Sequence, residues 1–267
     1  MISGSSRVFV ILGDPVSHSL SPVMQNAAFR ALGLSAVYVP LKCDADDLSA
    51  VMRTVARASG GGNVTVPHKE LAARSVDCCS ELAQTVEAAN TFWSEDGRII
   101  GDNTDVPGLI EALRQLEVTQ VPWLIAGTGG AARAAVVAAA QQGVAVAVRS
   151  RSTQRQQQFE SWVTSRGVPL AQPSECGVLI NATPLGLQPG DPLPLEPDGF
   201  PRAHIAFDMV YARGETTWVK AMKSRVRRSA DGRSMLVAQG AAAFERWFPG
   251  KRAPVEVMRA AVDAALR

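Results

Sequence analysis

The sequence predicts an α/β protein of two domains, an N-terminal α/β domain and a parallel-sheet domain after it, with C-terminal helices that fit either half. Three observations carry this expectation. Residues 1–104 alternate short apolar runs with helix-spaced segments. Asp96-Gly97, a two-residue turn signal, separates two strand-like runs. From Val121 the order becomes apolar strand, glycine-rich turn, alanine-rich helix and apolar strand, the βαβ grammar of a parallel sheet.

The elements follow in order. Val8–Leu12 is an apolar strand halted by Gly13-Asp14-Pro15. Ser21-Pro22 opens a helix, with Ser as N-cap, Pro at the first helical position and Gly33 as its stop. Tyr38–Leu41 reads as a second strand, and Asp46–Ala58 has helical spacing through Leu48, Val51, Met52 and Val55. Gly60-Gly61-Gly62 breaks the chain before a third strand over Asn63–Val66, and Pro67 starts a short helix. Thr91–Ser94 and Arg98–Gly101 flank the Asp96-Gly97 turn as a hairpin, which brings Asn90 near Asn103, with Asp105 close by. Strands then follow at Trp123–Ala126, Val144–Val148, Val178–Ile180 and Ile205–Phe207, a Pro-rich loop at Gln188–Pro201, and helices over Met235–Trp247 and from Pro254 onward. These features divide the chain into residues 1–104, 105–234 and 235–267.

Composition excludes several classes. A chain of 267 residues with a net charge of +2 offers no strong field for nucleic acid or anionic membrane. The basic run Lys223, Arg225, Arg227 and Arg228 reads as a solvated face. No apolar run nears the roughly 20 residues that span a bilayer, and Met1–Arg7 lacks the apolar core of a signal peptide. Cys43, Cys78, Cys79 and Cys176 show no metal-like spacing, and Cys78 and Cys79 read as reduced, largely buried thiols. The expectation is a cytoplasmic protein, monomer or homodimer, with a small-molecule substrate and no metal.

Gly127-Thr128-Gly129-Gly130-Ala131-Ala132 fits G-x-G-x-x-A between a strand and a helix, where backbone can approach a pyrophosphate at a helix N-terminus. A site for NAD places an acid about 20 residues later. Here that stretch reads Arg149-Ser150-Arg151-Ser152, followed by Arg155. Either it is an exposed basic turn, or its guanidinium and hydroxyl groups hold a 2′-phosphate, which points to NADP with NAD possible.

Asn63 and Thr65 alternate onto one strand face, and Lys69 falls in the first turn of the short helix. The positive helix end disfavours a cation there, so a lysine so placed can trade a proton near neutral pH. Asp105 either pairs with a nearby cation or completes a catalytic pair with Lys69. Gln239 shares an apolar helix face with Leu236 and Ala243, as a ligand group or as a core glutamine. Ser21 serves as helix cap, as anion contact, or as both.

These segments together resemble the shikimate dehydrogenase family over nearly the whole chain. The matching motifs are Gly13-Asp14-Pro15 with His18-Ser19-Leu20-Ser21-Pro22, Asn63-Val64-Thr65-Val66-Pro67-His68-Lys69, Ala89-Asn90-Thr91 and Gly101-Asp102-Asn103-Thr104-Asp105. Asn181-Ala182-Thr183-Pro184-Leu185-Gly186, Asp208-Met209-Val210-Tyr211, and Gly232 with Met235-Leu236-Val237-Ala238-Gln239 complete the set in the family's order. The resemblance implies a Rossmann-type NADP domain behind a substrate domain, with the C-terminal helix packing back on the substrate domain. It assigns Ser19 and Ser21 to the substrate carboxylate and Thr65, Asn90, Asp105 and Gln239 to its hydroxyls, with Asn63 and Tyr211 also at the substrate. Lys69 becomes the acid/base beside Asp105. Gly127, Thr128, Gly129, Gly130, Ala131, Ser150, Arg151, Ser152, Arg155, Asn181 and Thr183 fall to the cofactor, with Met209 and Gly232 bordering the nicotinamide. The implied reaction is reversible NADPH-dependent reduction of 3-dehydroshikimate to shikimate.

Four positions depart from the family pattern: Ser150 and Ser152 stand where Asn and Thr are usual, His68 where aromatic or aliphatic residues are, and Ser234 where Gly is common. A quinate/shikimate or aminoshikimate dehydrogenase with relaxed or NAD cofactor use is the alternative within the superfamily. A non-catalytic metabolite-binding protein on the same fold is the alternative outside it.

Overall fold

The computed structural model describes residues 2–188 and 190–267; Met1, and Pro189 within the expected Pro-rich loop, lie outside the described residues. In chain order the elements are β1 (Arg7–Gly13), α1 (Ser21–Ala31), β2 (Ala36–Lys42), α2 (Leu48–Arg57), β3 (Gly61–Val64), α3 (Lys69–Ser75), β4 (Cys78–Cys79), α4 (Glu81–Val86), β5 (Thr91–Glu95), β6 (Arg98–Asp102) and α5 (Asp105–Gln115). There follow β7 (Trp123–Ala126), α6 (Gly130–Gln141), β8 (Val146–Arg149), α7 (Thr153–Ser165), β9 (Val178–Asn181), β10 (Ile205–Asp208), α8 (Thr217–Met222), β11 (Arg228–Ala230), α9 (Arg233–Trp247) and α10 (Val255–Ala265). The chain forms two compact units, one of Met1–Gly108 with Leu236–Ala265, the other of Leu109–Met235 with Leu266 and Arg267.

The first unit is built on a mixed six-stranded sheet in the order β2-β1-β3-β5-β6-β4. β1 is buried from Phe9 to Gly13 because it lies between two parallel neighbours and is covered on both faces. Alternation splits its side chains. Val10 and Leu12 pack with Leu48, Met52 and Ala56, one stripe of α2. Phe9 turns to the opposite face, where its ring lies 4.9 Å from Trp247 and 5.3 Å from Phe29 and from Phe248. The Trp247 indole N–H donates to Thr91 Oγ1 at 3.1 Å, so this aromatic cluster ties α9 to the sheet.

Three local expectations need correction. β3 begins at Gly61, inside the glycine run expected to break the chain. A Cβ at Gly62 would overlap the Val10 carbonyl oxygen, so glycine permits the close pairing with β1. The strand ends at Val64, which leaves Thr65 beyond it. α1 takes Leu20 as its N-cap residue and Ser21 as its first helical residue. Cys78 and Cys79 form a short edge strand on β6 and are half-buried, not largely buried; all four cysteines are free. Four starts also shift by two residues: β2 at Ala36 and α9 at Arg233 are early, and α2 at Leu48 and β8 at Val146 are late.

The second unit carries a five-stranded, all-parallel sheet in the order β11-β10-β9-β7-β8. Its central strands are buried on both faces, as a parallel sheet under helices requires. The basic run meets acids: Lys223 pairs with Glu215, Arg225 with Asp198 and Arg228 with Glu117. No helix among the described residues is long and apolar enough to cross a membrane.

Truncating the aromatic anchor should cost most. Trp247→Ala is expected to destabilise the first unit by about 3–5 kcal/mol in urea unfolding. The exposed Val257→Ala should change it by less than about 0.5 kcal/mol.

Candidate functional site

In the first unit the hairpin does the positioning. Asp96 and Gly97 take φ values of 48° and 77°, the left-handed pair that a type I′ turn requires. That turn fixes Thr91 opposite Asp102. Asn90, just before β5, therefore lies beside Asn103–Asp105, just after β6. Asn90 Oδ1 accepts the Thr104 N–H at 2.7 Å. Its Nδ2 donates to Asp105 Oδ1 at 2.9 Å and to Gln239 Oε1 at 3.4 Å. Asp105 is the first residue of α5, where negative charge is favoured, and Asn103 Oδ1 accepts its N–H.

Lys69 comes from the other side of the cluster. It opens α3, and its carbonyl accepts the Ala89 N–H at 2.9 Å, which holds the helix start against the hairpin. Lys69 Nζ donates to Asp105 Oδ2 at 2.6 Å, with side chains only 14% and 6% exposed. His68, one of the departures from the family pattern, is buried with Nε2 2.7 Å from the Cys43 carbonyl oxygen, so it fastens the helix start to the loop after β2.

Asn63 is buried, and both ends of its amide are occupied: Tyr38 donates its hydroxyl to Oδ1 at 2.8 Å, and Nδ2 donates to the Asn90 carbonyl at 3.0 Å. It holds Asn90, and Tyr38 holds it. Gln239 is steadied within its own helix, where Nε2 donates to the Leu236 carbonyl at 2.9 Å. Ser21 is buried and is not the cap; Ser19 Oγ accepts the Ser21 N–H at 3.3 Å, so the two serines sit together at the start of α1. The structure thus joins Lys69, Asp105, Asn90 and Gln239 directly, Asn63 through Asn90, and Ser19 with Ser21. Thr65 lies four residues before Lys69, beside it through the His68 N–H, which donates to the Thr65 carbonyl at 2.9 Å.

The second unit gathers its residues at the carboxyl ends of its strands. β7 leads out to β8 on one side and, after α7, to β9 on the other, so the glycine turn sits where the strand order reverses. Gly127 has φ +120°, and a Cβ there would stand 2.8 Å from the Ala182 carbonyl oxygen. Thr128 follows it, and Gly129 caps α6 with no side-chain bond and open space about its Cα. The amides of Gly130 and Ala131 open that helix, so their N–H groups have no intrahelical acceptor. A pyrophosphate fits such an end.

Beyond β8, Ser152 caps α7 by accepting the Arg155 N–H, and Ser150 Oγ accepts the Ser152 N–H. The two serines shape the turn, while Arg149, Arg151 and Arg155 are exposed with no ion-pair partner among the described residues. Three unopposed guanidinium groups on one turn suit a phosphate. Asn181 Oδ1 accepts the N–H and hydroxyl of Thr183, Met209 N–H donates to Asn181 O at 3.0 Å, and Gly232 N–H donates to Val210 O at 2.9 Å. Tyr211 belongs to this unit, half-buried in the loop after β10. Sequence reasoning missed Tyr38, Thr104 and Asp208. Only Asp208 and Thr104 had a signal, since both lie inside motifs that were singled out for their neighbours.

Known proteins resemble this chain over nearly its whole length. Residues 11–92 match the shikimate dehydrogenase substrate binding domain, and residues 232–262 the shikimate 5′-dehydrogenase C-terminal domain. The NADP(+) shikimate dehydrogenase of Microcystis aeruginosa is 38% identical, covering 98% of each chain. The crystal structure of shikimate 5-dehydrogenase from Thermus thermophilus in complex with NADP(H) and shikimate has a TM-score of 0.87 at 34% identity, covering 99% of this chain and 100% of that one. A shikimate dehydrogenase crystallised with NADP+ has a TM-score of 0.91 at 30% identity, covering 100% and 98%. The chain belongs to the shikimate dehydrogenase family.

Proposed function

We propose that this chain is an NADP-dependent shikimate dehydrogenase, reducing 3-dehydroshikimate reversibly to shikimate in aromatic amino acid (chorismate) biosynthesis. The observation that carries the reading is the Lys69–Asp105 pair, 2.6 Å apart and nearly dry, anchored by Asn90.

Ser19 and Ser21 receive the substrate carboxylate at the start of α1, where helix amides favour an anion. Thr65, Asn90, Asp105 and Gln239 take the ring hydroxyls. Asn63 acts through Asn90, and Tyr211 also reaches substrate. NADPH, when bound, supplies the hydride that goes to the carbonyl carbon. Lys69 Nζ gives a proton to the carbonyl oxygen as charge develops there, and takes it back in the oxidative direction. Asp105 Oδ2 holds that ammonium in place, and its Oδ1 is held by Asn90. On the cofactor side, Gly127–Ala131 carry the pyrophosphate. Arg151 and Arg155, with the Ser150 and Ser152 hydroxyls, take the 2′-phosphate. Asn181, Thr183, Met209 and Gly232 lie toward the nicotinamide. Four free thiols support a reducing compartment, the cytoplasm. The chain acts as a monomer or a homodimer.

Lys69→Ala should lower kcat for shikimate with NADP by about 10²–10⁴-fold while leaving NADP binding unchanged, read from nicotinamide absorbance. Wild-type preference for quinate would move the chain to a sister branch, and binding of shikimate without turnover would leave a metabolite-binding protein. The double variant Arg151→Ala with Arg155→Ala should lose roughly ten- to a hundredfold in kcat/KM with NADP. Its kcat/KM with NAD should barely move; equal losses with both cofactors would remove the 2′-phosphate assignment.

A further inference from the structure

Asp208 ends β10 with no exposed surface. Its carboxylate accepts three hydrogen bonds: from Asn181 Nδ2 to Oδ1 at 2.8 Å, from Val210 N–H to the same oxygen at 3.0 Å, and from the Thr216 hydroxyl to Oδ2 at 2.7 Å. Asn181 passes the connection on to Thr183 through its own Oδ1. One buried carboxylate therefore joins the segment after β9 to the segment after β10.

No cation pairs with it among the described residues. β9 carries no charged side chain, and α8 carries only the exposed Lys220. Arg228 of β11 pairs with Glu117; Asp231, just after β11, pairs with Arg233; Glu215 pairs with Lys223; and Arg213 is exposed. Burying an unpaired charge is unfavourable, and an apolar residue of similar shape serves a fold as well or better. Stability does not account for this group.

We propose that Asp208 is a positioning residue for the cofactor: its ionised carboxylate clamps the 181–186 and 209–216 segments and so fixes Thr183 and Met209 at the nicotinamide end. This rests on the proposed function, which assigns those two residues to the cofactor. Burial pushes the carboxyl up to about 6, against the hydrogen bonds from Thr216, Val210 and Asn181, and the Asp231 charge acts in the same direction as burial. Since the folded value lies above the ordinary one, the group's contribution to stability is full below about pH 4 and is lost as pH rises through about 6. The clamp has the opposite dependence. Protonation turns one oxygen into a donor, the Thr216 hydroxyl must swing round to accept, and the link between the segments loosens.

The test is calorimetric binding of NADP to the full chain without substrate, between pH 5 and 8, for wild type, Asp208→Asn and Thr216→Val. The Kd ratio of Asp208→Asn to wild type should be about tenfold at pH 8 and fall toward unity at pH 5, where the wild-type group is neutral too. The 2′-phosphate titrates over the same range, but it is common to both proteins and cancels in the ratio. Thr216→Val keeps the charge and removes a donor that favours it, so its binding should weaken at a higher pH than in wild type. A ratio that does not vary with pH, whatever its size, would overturn the clamp. A wild type that binds no NADP would take down the functional reading and the clamp together, whereas binding with a flat ratio takes down the clamp alone.

Discussion

Lys69 and Asp105 face each other almost out of water, and such a pair is tolerated only when the remaining polar atoms of both partners are satisfied. Asp105 meets that condition through Asn90, whose own amide is held by Thr104 and whose carbonyl is held by Asn63. Removing either charge would strand the other. The hairpin, the start of α3 and the start of α5 must therefore all be in register for the pair to exist, and the Asp96-Gly97 turn sets that register from a distance.

The two units solve the same problem by different means. In the first, an antiparallel hairpin in a mixed sheet lets loops from opposite strand ends meet, and side-chain amides fill the gaps. In the second, parallel strands deliver every loop to one edge, where the glycine turn, the arginine turn and the segments after β9 and β10 converge by topology alone. Amide side chains dominate the first site, and backbone N–H groups with cationic side chains the second. That difference matches a hydroxylated ring on one side and phosphates on the other.

Much of this was legible in the sequence because it rests on strong local signals. A two-residue turn with an obligatory left-handed conformation fixes register, so the nearness of Asn90 to Asp105 followed from Asp96-Gly97. The glycine turn and the acid-free arginine turn were equally local. The rest depends on tertiary contact. β4 has two residues and no period to read. Gly61 and Gly62 look like breakers until the Phe92 carbonyl of β5 is seen pressed against the first and the Val10 carbonyl of β1 against the second. Ser21 looks like a cap, but it is already the first helical residue and Leu20 takes the N-cap position. Tyr38 reaches Asn63 across the sheet from β2, past β1 to β3, which no spacing along the chain announces.

The cap on α7 has an evolutionary consequence. Ser152 fixes the helix start and also stands in the turn proposed to hold the cofactor's 2′-phosphate. Aspartate caps a helix about as well as serine does. An acid could therefore replace this hydroxyl with no loss of helix stability while reversing the charge offered to the ribose. With Arg151 and Arg155 still beside it, that single replacement would weaken the proposed hold on a 2′-phosphate without exchanging one dinucleotide for the other.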